Sequence, residues 1–251
     1  MCRHLAYLGP PVPLAALLFD PPHSLAHQSW APRDMRGGGT INADGFGVGW
    51  FPPGADTPVR YRRSCPLWAD PGLVELAAAT ASGGVLAAAR SATEGMPVEA
   101  SAAAPFTDGR WLFSHNGVVR GWPDSVAELA GRLPTRDLIT LDAPTDAALL
   151  WALVRHRLRA GAGAGAAVGG VVADVARAAP GSRLNLLLTD GATAVASTDG
   201  HSLWLHTGAG AVLISSEPLD DDPGWRPVPD RHLVVATAST ADLAPLPSKE
   251  T

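Results

Sequence analysis

Four short stretches carry side chains that could do covalent chemistry together. The first is "MCRH", in which Cys2 becomes the terminal residue once Met1 is removed. Such a cysteine joins a nucleophile to a base: an α-amine titrates at about 7.7–8.0 and a thiol at about 8.5, so near neutrality some amine is free to take the thiol proton. The second is "ARSATEG", where Arg90 closes an apolar run and offers a planar guanidinium that can grip a carboxylate through two parallel hydrogen bonds. The third is "SHNGVV", where Asn116 and Gly117 set a carboxamide donor beside an unhindered backbone N–H, a pair suited to a tetrahedral oxyanion. The fourth is "APTDAALL", with Thr145 as a helix N-cap and Asp146 in the first turn. A carboxylate there, placed near Arg90, completes a receptor for an α-amino acid. Each stretch also has a plain structural reading. Cys2 can begin a buried strand, Arg90 can join a surface ion pair, Asn116-Gly117 can form a turn, and Asp146 can complement a helix dipole.

The totals limit what these residues can act on. The chain has 251 residues, 46% hydrophobic and 17% charged, enough for one large core. With 19 basic against 24 acidic residues and no basic run, it lacks the electrostatic footprint that nucleic acid or an anionic membrane selects. Two cysteines, Cys2 and Cys65, are too few for a disulfide framework and make no C-x-x-C pair for zinc. Cys65 reads as structural. The run "LAALLF" is shorter than a signal-peptide core, so a soluble cytoplasmic protein with a small-molecule partner is expected.

The positioning elements follow from periodicity. Strands are expected to Leu8, in the "NADGFGVGWF" stretch, and over 59–64, 84–90, 111–117, 184–190, 194–198, 203–207, 211–216 and 232–237, many of them apolar runs covered on both faces. In "GFGVGW", bulky and bare positions alternate, which fits tight packing against a second sheet or close approach of a ligand. Helices are expected at 13–19, 71–81, 123–133 and 145–159. The run "AGAGAGAAVGG" over 160–170 reads as a flexible connector, and the tail from 238 as fraying. Grouped strands with helices between them predict an α+β fold with two packed sheets sandwiched by helices, a single domain over 2–237.

The order N-terminal Cys, "AR-x-AT", "HNG", then "TD" opening a helix resembles the class II glutamine amidotransferases, members of the N-terminal nucleophile (Ntn) hydrolases. The resemblance covers about 2–237. It implies a four-layer αββα fold, Cys2 as nucleophile with its own amine as base, and Asn116 with Gly117 as oxyanion hole. It further implies that Arg90 and Asp146 hold the carboxylate and amino ends of a glutamyl group, with His115 beside them and no metal or organic cofactor. Ser91 stands where a bulky aromatic is frequent in the family. The opening, the "QSWAPRDMRGGGTINADGFGVGW" loop and "SEPLDDDPGW" look most like stand-alone hydrolases of ergothioneine biosynthesis, because nothing after 237 remains for an ammonia-consuming domain. For a leaving group carrying trimethylammonium and imidazole, Trp30 is a cation–π candidate, and Gln28, Arg33 and Arg36 of the same loop are contact candidates. Rival readings are a glutaminase subunit feeding a separate synthase, a papain-like pairing of a cysteine with His4 or His115, and a non-catalytic glutamyl-binding module.

Overall fold

Apolar strands that face protein on both sides need a layer on each side, and the chain supplies them. The structure, a computed structural model, describes residues 2–35 and 41–246, so Arg36 lies outside the described residues. In chain order the elements are β1 (Arg3–Pro13), α1 (Ala15–Leu18), α2 (Leu25–Trp30), β2 (Phe46–Trp50), β3 (Val59–Arg63), α3 (Pro71–Ala79) and β4 (Ala81–Ala89). There follow β5 (Phe106–Asp108), β6 (Trp111–Val118), α4 (Ala127–Ala130), α5 (Thr135–Ile139), α6 (Asp146–Arg159) and α7 (Ala164–Ala178). The chain closes with β7 (Arg183–Thr189), β8 (Thr193–Thr198), β9 (Trp204–Gly208), β10 (Ala211–Ser215), β11 (Arg226–Pro227), β12 (His232–Thr237) and β13 (Ala241–Pro245).

The strands pair antiparallel into two sheets, ordered β11-β9-β10-β1-β4-β2-β3 and β13-β12-β8-β7-β6-β5. Alternation along each strand sorts its side chains between layers. Ala6, Leu8, Leu86, Leu112, Leu187 and Ile214 fill the space between the sheets. Leu5, Phe46, Val48, Val85 and Ala87 pack instead with α1, α2 and α3. Phe113, Leu186 and Leu188 pack with α6 and α7, where Trp151 stacks on Phe113 at 5.3 Å between ring centroids. The result is helix, sheet, sheet, helix, the four-layer α+β sandwich.

The bare face of "GFGVGW" is explained by close packing against the second sheet and the segment leading into β5. A Cβ on Gly47 would stand 2.3 Å from the Ala104 carbonyl oxygen, and one on Gly49 2.7 Å from a Leu112 methyl. Three expectations need correction. The stretch 160–170 is not a loop throughout, because α7 begins at Ala164. Its alanines favour a helix while its glycines weaken one, yet the glycines let the helix sit close, with Gly165 and Gly169 against Leu233 and Gly170 against Arg157. The tail from 238 does not simply fray, since Ala241–Pro245 pairs with β12 as an edge strand. The helix expected over 123–133 breaks into a 3-10 turn, Asp124–Val126, and the single turn α4, which ends at Gly131. Conversely, α2 forms inside a stretch read as loop, with the Ser24 side chain capping it by accepting the His27 N–H.

Candidate active site

Cys2 immediately precedes β1, whose neighbours β4 and β10 hold it on both sides. Its thiol lies 3.8 Å from the Ser91 carbonyl oxygen, just past the end of β4. The cleft at this edge is lined by Cys2, Arg90, Ser91, His115, Gly117 and Asp146, among others, and encloses about 480 Å³ including its solvent mouth. Five residues named from sequence as site candidates, scattered over 145 positions (146 − 2 + 1), therefore share one cavity.

Arg90 is buried and anchored on one side only. Its N–H and C=O pair with Gly45 and Asp44, while Nη1 donates to the carbonyl oxygens of Pro97 at 2.8 Å and Asp44 at 3.5 Å. Nη2 has no partner among the described residues, and a buried charged donor without one is expensive unless a ligand supplies the acceptor. Asp146 opens α6 behind the Thr145 cap, whose hydroxyl accepts the Ala148 N–H at 3.3 Å. Its Oδ2 accepts the Val119 N–H at 3.0 Å and its Oδ1 that of Ala147 at 2.7 Å. These bonds orient the carboxylate and leave lone pairs on both oxygens.

Strand alternation places the "HNG" residues on different faces. His115 and Gly117 line the cleft, with His115 Nε2 donating to the Arg183 carbonyl at 3.1 Å, which leaves Nδ1 as the acceptor. The bareness of Gly117 is obligatory, because a Cβ there would meet the same Arg183 oxygen at 1.9 Å. Asn116 points between the sheets, fully buried, its Nδ2 donating to the Ser216 hydroxyl at 3.3 Å and its Oδ1 without a partner among the described residues. His4 is also fully buried there, its Nδ1 3.2 Å from the Ser114 hydroxyl. Burial, helped by His115, His201 and Arg3, lowers its pKa from 6.5 to about 3. An imidazole so reluctant to take a proton is a poor general base for a neutral thiol.

No family model matches the sequence. The chain is 44% identical over 247 residues to a gamma-glutamyl-hercynylcysteine sulfoxide hydrolase of Mycobacterium tuberculosis, covering 98% of this chain and 97% of that one. It is 42% identical to the protein of the same name from Mycolicibacterium smegmatis, covering 98% and 100%. The chain belongs to the gamma-glutamyl-hercynylcysteine sulfoxide hydrolase family. Among solved structures it is similar to a glutamine aminotransferase class-II domain protein from Silicibacter pomeroyi, with TM-score 0.67, 22% identity and coverage of 98% and 100%. It is also similar to the glutamine phosphoribosylpyrophosphate amidotransferase from B. subtilis, with TM-score 0.66 and 12% identity, covering 98% of this chain and 49% of that one. These likenesses establish the class II glutamine amidotransferase fold.

In this member of the hydrolase family a second polar cluster backs the cleft. Arg3, the neighbour of Cys2, is buried and pairs with Glu217 at 3.0 Å, while its Nη2 also donates to the Asp34 carbonyl. The other Glu217 oxygen receives His23 Nε2 at 2.5 Å, and the backbone N–H groups of Arg33 and Asp34 complete the shell at 2.9 and 3.0 Å. Burial pushes the Glu217 pKa up, but the His23 hydrogen bond, the Arg33 N–H, the Arg3 charge and the Asp34 N–H outweigh it and hold the carboxyl below its usual range. Gln28 joins this cluster rather than the cleft lining: its Nε2 donates to the carbonyls of His23 and Glu217 at 2.9 and 3.2 Å. Trp30, 50% exposed, packs edge-on against His27 outside that lining, and the exposed Arg33 side chain reaches Asp221 at 3.5 Å. Sequence reasoning did not single out Arg3 or Glu217, although "SEPLDDDPGW" was visible as a motif; what it lacked was the burial that makes them a pair.

Proposed function

We propose that the chain hydrolyses the γ-glutamyl amide of γ-glutamyl-hercynylcysteine sulfoxide, the compound for which its mycobacterial relatives are named, as a cytoplasmic step of ergothioneine biosynthesis. The observation that carries this reading is one cleft lined by the Cys2 thiol, the half-satisfied Arg90 guanidinium and the open carboxylate of Asp146. Arg90 takes the substrate α-carboxylate and Asp146 its α-ammonium, with His115 beside them. This leaves the γ-carbonyl for the sulfur.

With Met1 removed, the α-amine of Cys2 accepts the thiol proton as sulfur bonds to the carbonyl carbon of the γ-amide. The carbonyl π pair moves to oxygen, and the oxyanion is held by the Asn116 carboxamide and the Gly117 N–H. Collapse breaks the C–N bond, and the α-ammonium returns its proton to the departing amine. Water then attacks the glutamyl thioester, giving its proton to the α-amine. Glutamate leaves and the thiol regains that proton. No metal or organic cofactor takes part. For the cationic leaving group, the half-exposed Trp30 is an available cation–π face, whereas Gln28 turns inward and ties α2 to the His23 and Glu217 carbonyls.

The test is glutamate release from γ-glutamyl-hercynylcysteine sulfoxide and from free glutamine, using protein whose first peptide has been read by mass spectrometry. A clear preference for the conjugate in kcat/KM is expected. Equal or better use of glutamine would point to ammonia supply for a separate synthase. Full turnover by protein retaining Met1 would rule out the amine as base.

A further inference from the structure

We propose that Ser216 is a positioning residue that orients the Asn116 carboxamide for the oxyanion, a role that rests on the reading of Asn116 given above. A hydroxyl has one hydrogen and two lone pairs. Those of Ser216 are all engaged: it donates to the His4 carbonyl at 3.2 Å, accepts the His4 N–H at 3.0 Å and accepts from Asn116 Nδ2 at 3.3 Å. The His4 carbonyl can only accept and the His4 N–H can only donate. With its hydrogen on the His4 carbonyl, the hydroxyl turns a lone pair toward Asn116.

That polarity decides which end of the amide meets Ser216. A carboxamide turned by 180° would press Oδ1 against the same lone pair, in a space between the sheets where both groups are fully buried. The NH₂ end is thus held toward Ser216. One Nδ2 hydrogen is used there, and the second remains for a ligand oxygen. Without the hydroxyl this hydrogen-bonded distinction between the two orientations is lost, and one of them turns a repulsive oxygen where a donor is needed.

Ser216 also joins the two sheets at the reacting end. His4 is two residues from Cys2 on β1, Asn116 is on β6 of the other sheet, and Ser216 directly follows β10. The Ser216 backbone N–H bonds His4 at 2.9 Å, and its carbonyl receives the Ser202 hydroxyl at 3.0 Å, so the hydroxyl has little freedom to move. It therefore helps set the distance between the strand bearing the nucleophile and the strand bearing the oxyanion donor.

A double-mutant cycle tests this, with kcat and KM measured for wild type, Ser216→Ala, Asn116→Ala and the double variant, all Met1-processed. Asn116→Ala should lower kcat by about 10²–10³, and Ser216→Ala by about 10-fold with KM within about twofold. The double variant should be no slower than Asn116→Ala alone. A Ser216→Ala loss of the same size in both backgrounds would make the residue merely structural and overturn the proposal, as would a wild-type kcat for Ser216→Ala beside a crippled Asn116→Ala. A near-normal Asn116→Ala would instead overturn the oxyanion reading, and this inference with it. If Ser216→Ala does not fold, the near-isosteric and weaker acceptor Ser216→Cys carries the same cycle, again with a kcat loss that must vanish beside Asn116→Ala.

Discussion

The two charged clusters beside the N-terminal strand are satisfied in opposite ways. Behind the cleft, Glu217 spends both oxygens on Arg3, His23 and two backbone N–H groups. Inside the cleft, Arg90 keeps Nη2 without a partner among the described residues and Asp146 keeps its outer lone pairs. Both sets are buried, so the difference is not one of exposure. A carboxylate saturated by protein has no further use for a ligand and works as a frame; a guanidinium left short of an acceptor gains when one arrives. The comparison separates residues whose loss should show in stability from those whose loss should show in turnover.

The widest separation should come from the nucleophile. Cys2→Ala is expected to lower glutamate release by about 10⁴-fold or more with the thermal midpoint nearly unchanged, as loss of a covalent nucleophile does elsewhere. A large fall in the midpoint would mean that Cys2 belongs to the frame. Glu217→Gln should do the reverse, destabilising the fold by about 3–5 kcal/mol in denaturant titration, because it leaves Arg3 buried without its counter-charge. If stability holds while turnover collapses, the division between the clusters is wrong.

Arg90→Lys keeps the charge but loses the fork, and should raise KM for a γ-glutamyl substrate about 30-fold, equivalent to about 2 kcal/mol, with kcat affected less. The finest discrimination comes from pH. The Glu217 pKa is lowered by folding, so its contribution to stability is present above the ordinary carboxylate range and lost as pH falls through the folded value. His4 acts earlier: unfolded chains take up its proton below 6.5 while the folded protein resists until about 3, so stability declines across that window as pH falls. Denaturant midpoints should therefore slope downward on acidification from about pH 6.5, and His4→Gln should flatten the upper part of the slope.

Much of this was legible because it is local. Alternation and apolar runs give β6, β7 and β12 within a residue, and Thr145 announces the start of α6. The four chemical stretches stood out because each is a contiguous pattern. What failed was judged on composition alone: "AGAGAGAAVGG" has the makeup of a linker, yet its smallness is what lets α7 pack. The edge strand β13 was missed because five residues of mixed polarity become a strand only when β12 offers its hydrogen bonds. Trp30 and Gln28 were grouped by their nearness in sequence, while the helix α2 turns one out to solvent and the other inward.

The sequence by itself determined which groups are present and in what order: a thiol that can become terminal, an arginine ending one strand, a carboxamide and glycine ending another, and an acid opening a helix. Only the tertiary structure decided that the thiol, the arginine, the glycine and the acid meet in one cleft while the carboxamide turns between the sheets toward Ser216, that Nη2 of Arg90 lacks an acceptor among the described residues, and that Arg3 and Glu217 form a buried pair. The physical reason is distance along the chain. Side-chain type and periodicity act over a few residues, whereas burial and hydrogen-bond saturation depend on partners 100 to 214 positions away, as in Asn116 with Ser216 (216 − 116) and Arg3 with Glu217 (217 − 3), which meet only once two sheets have stacked.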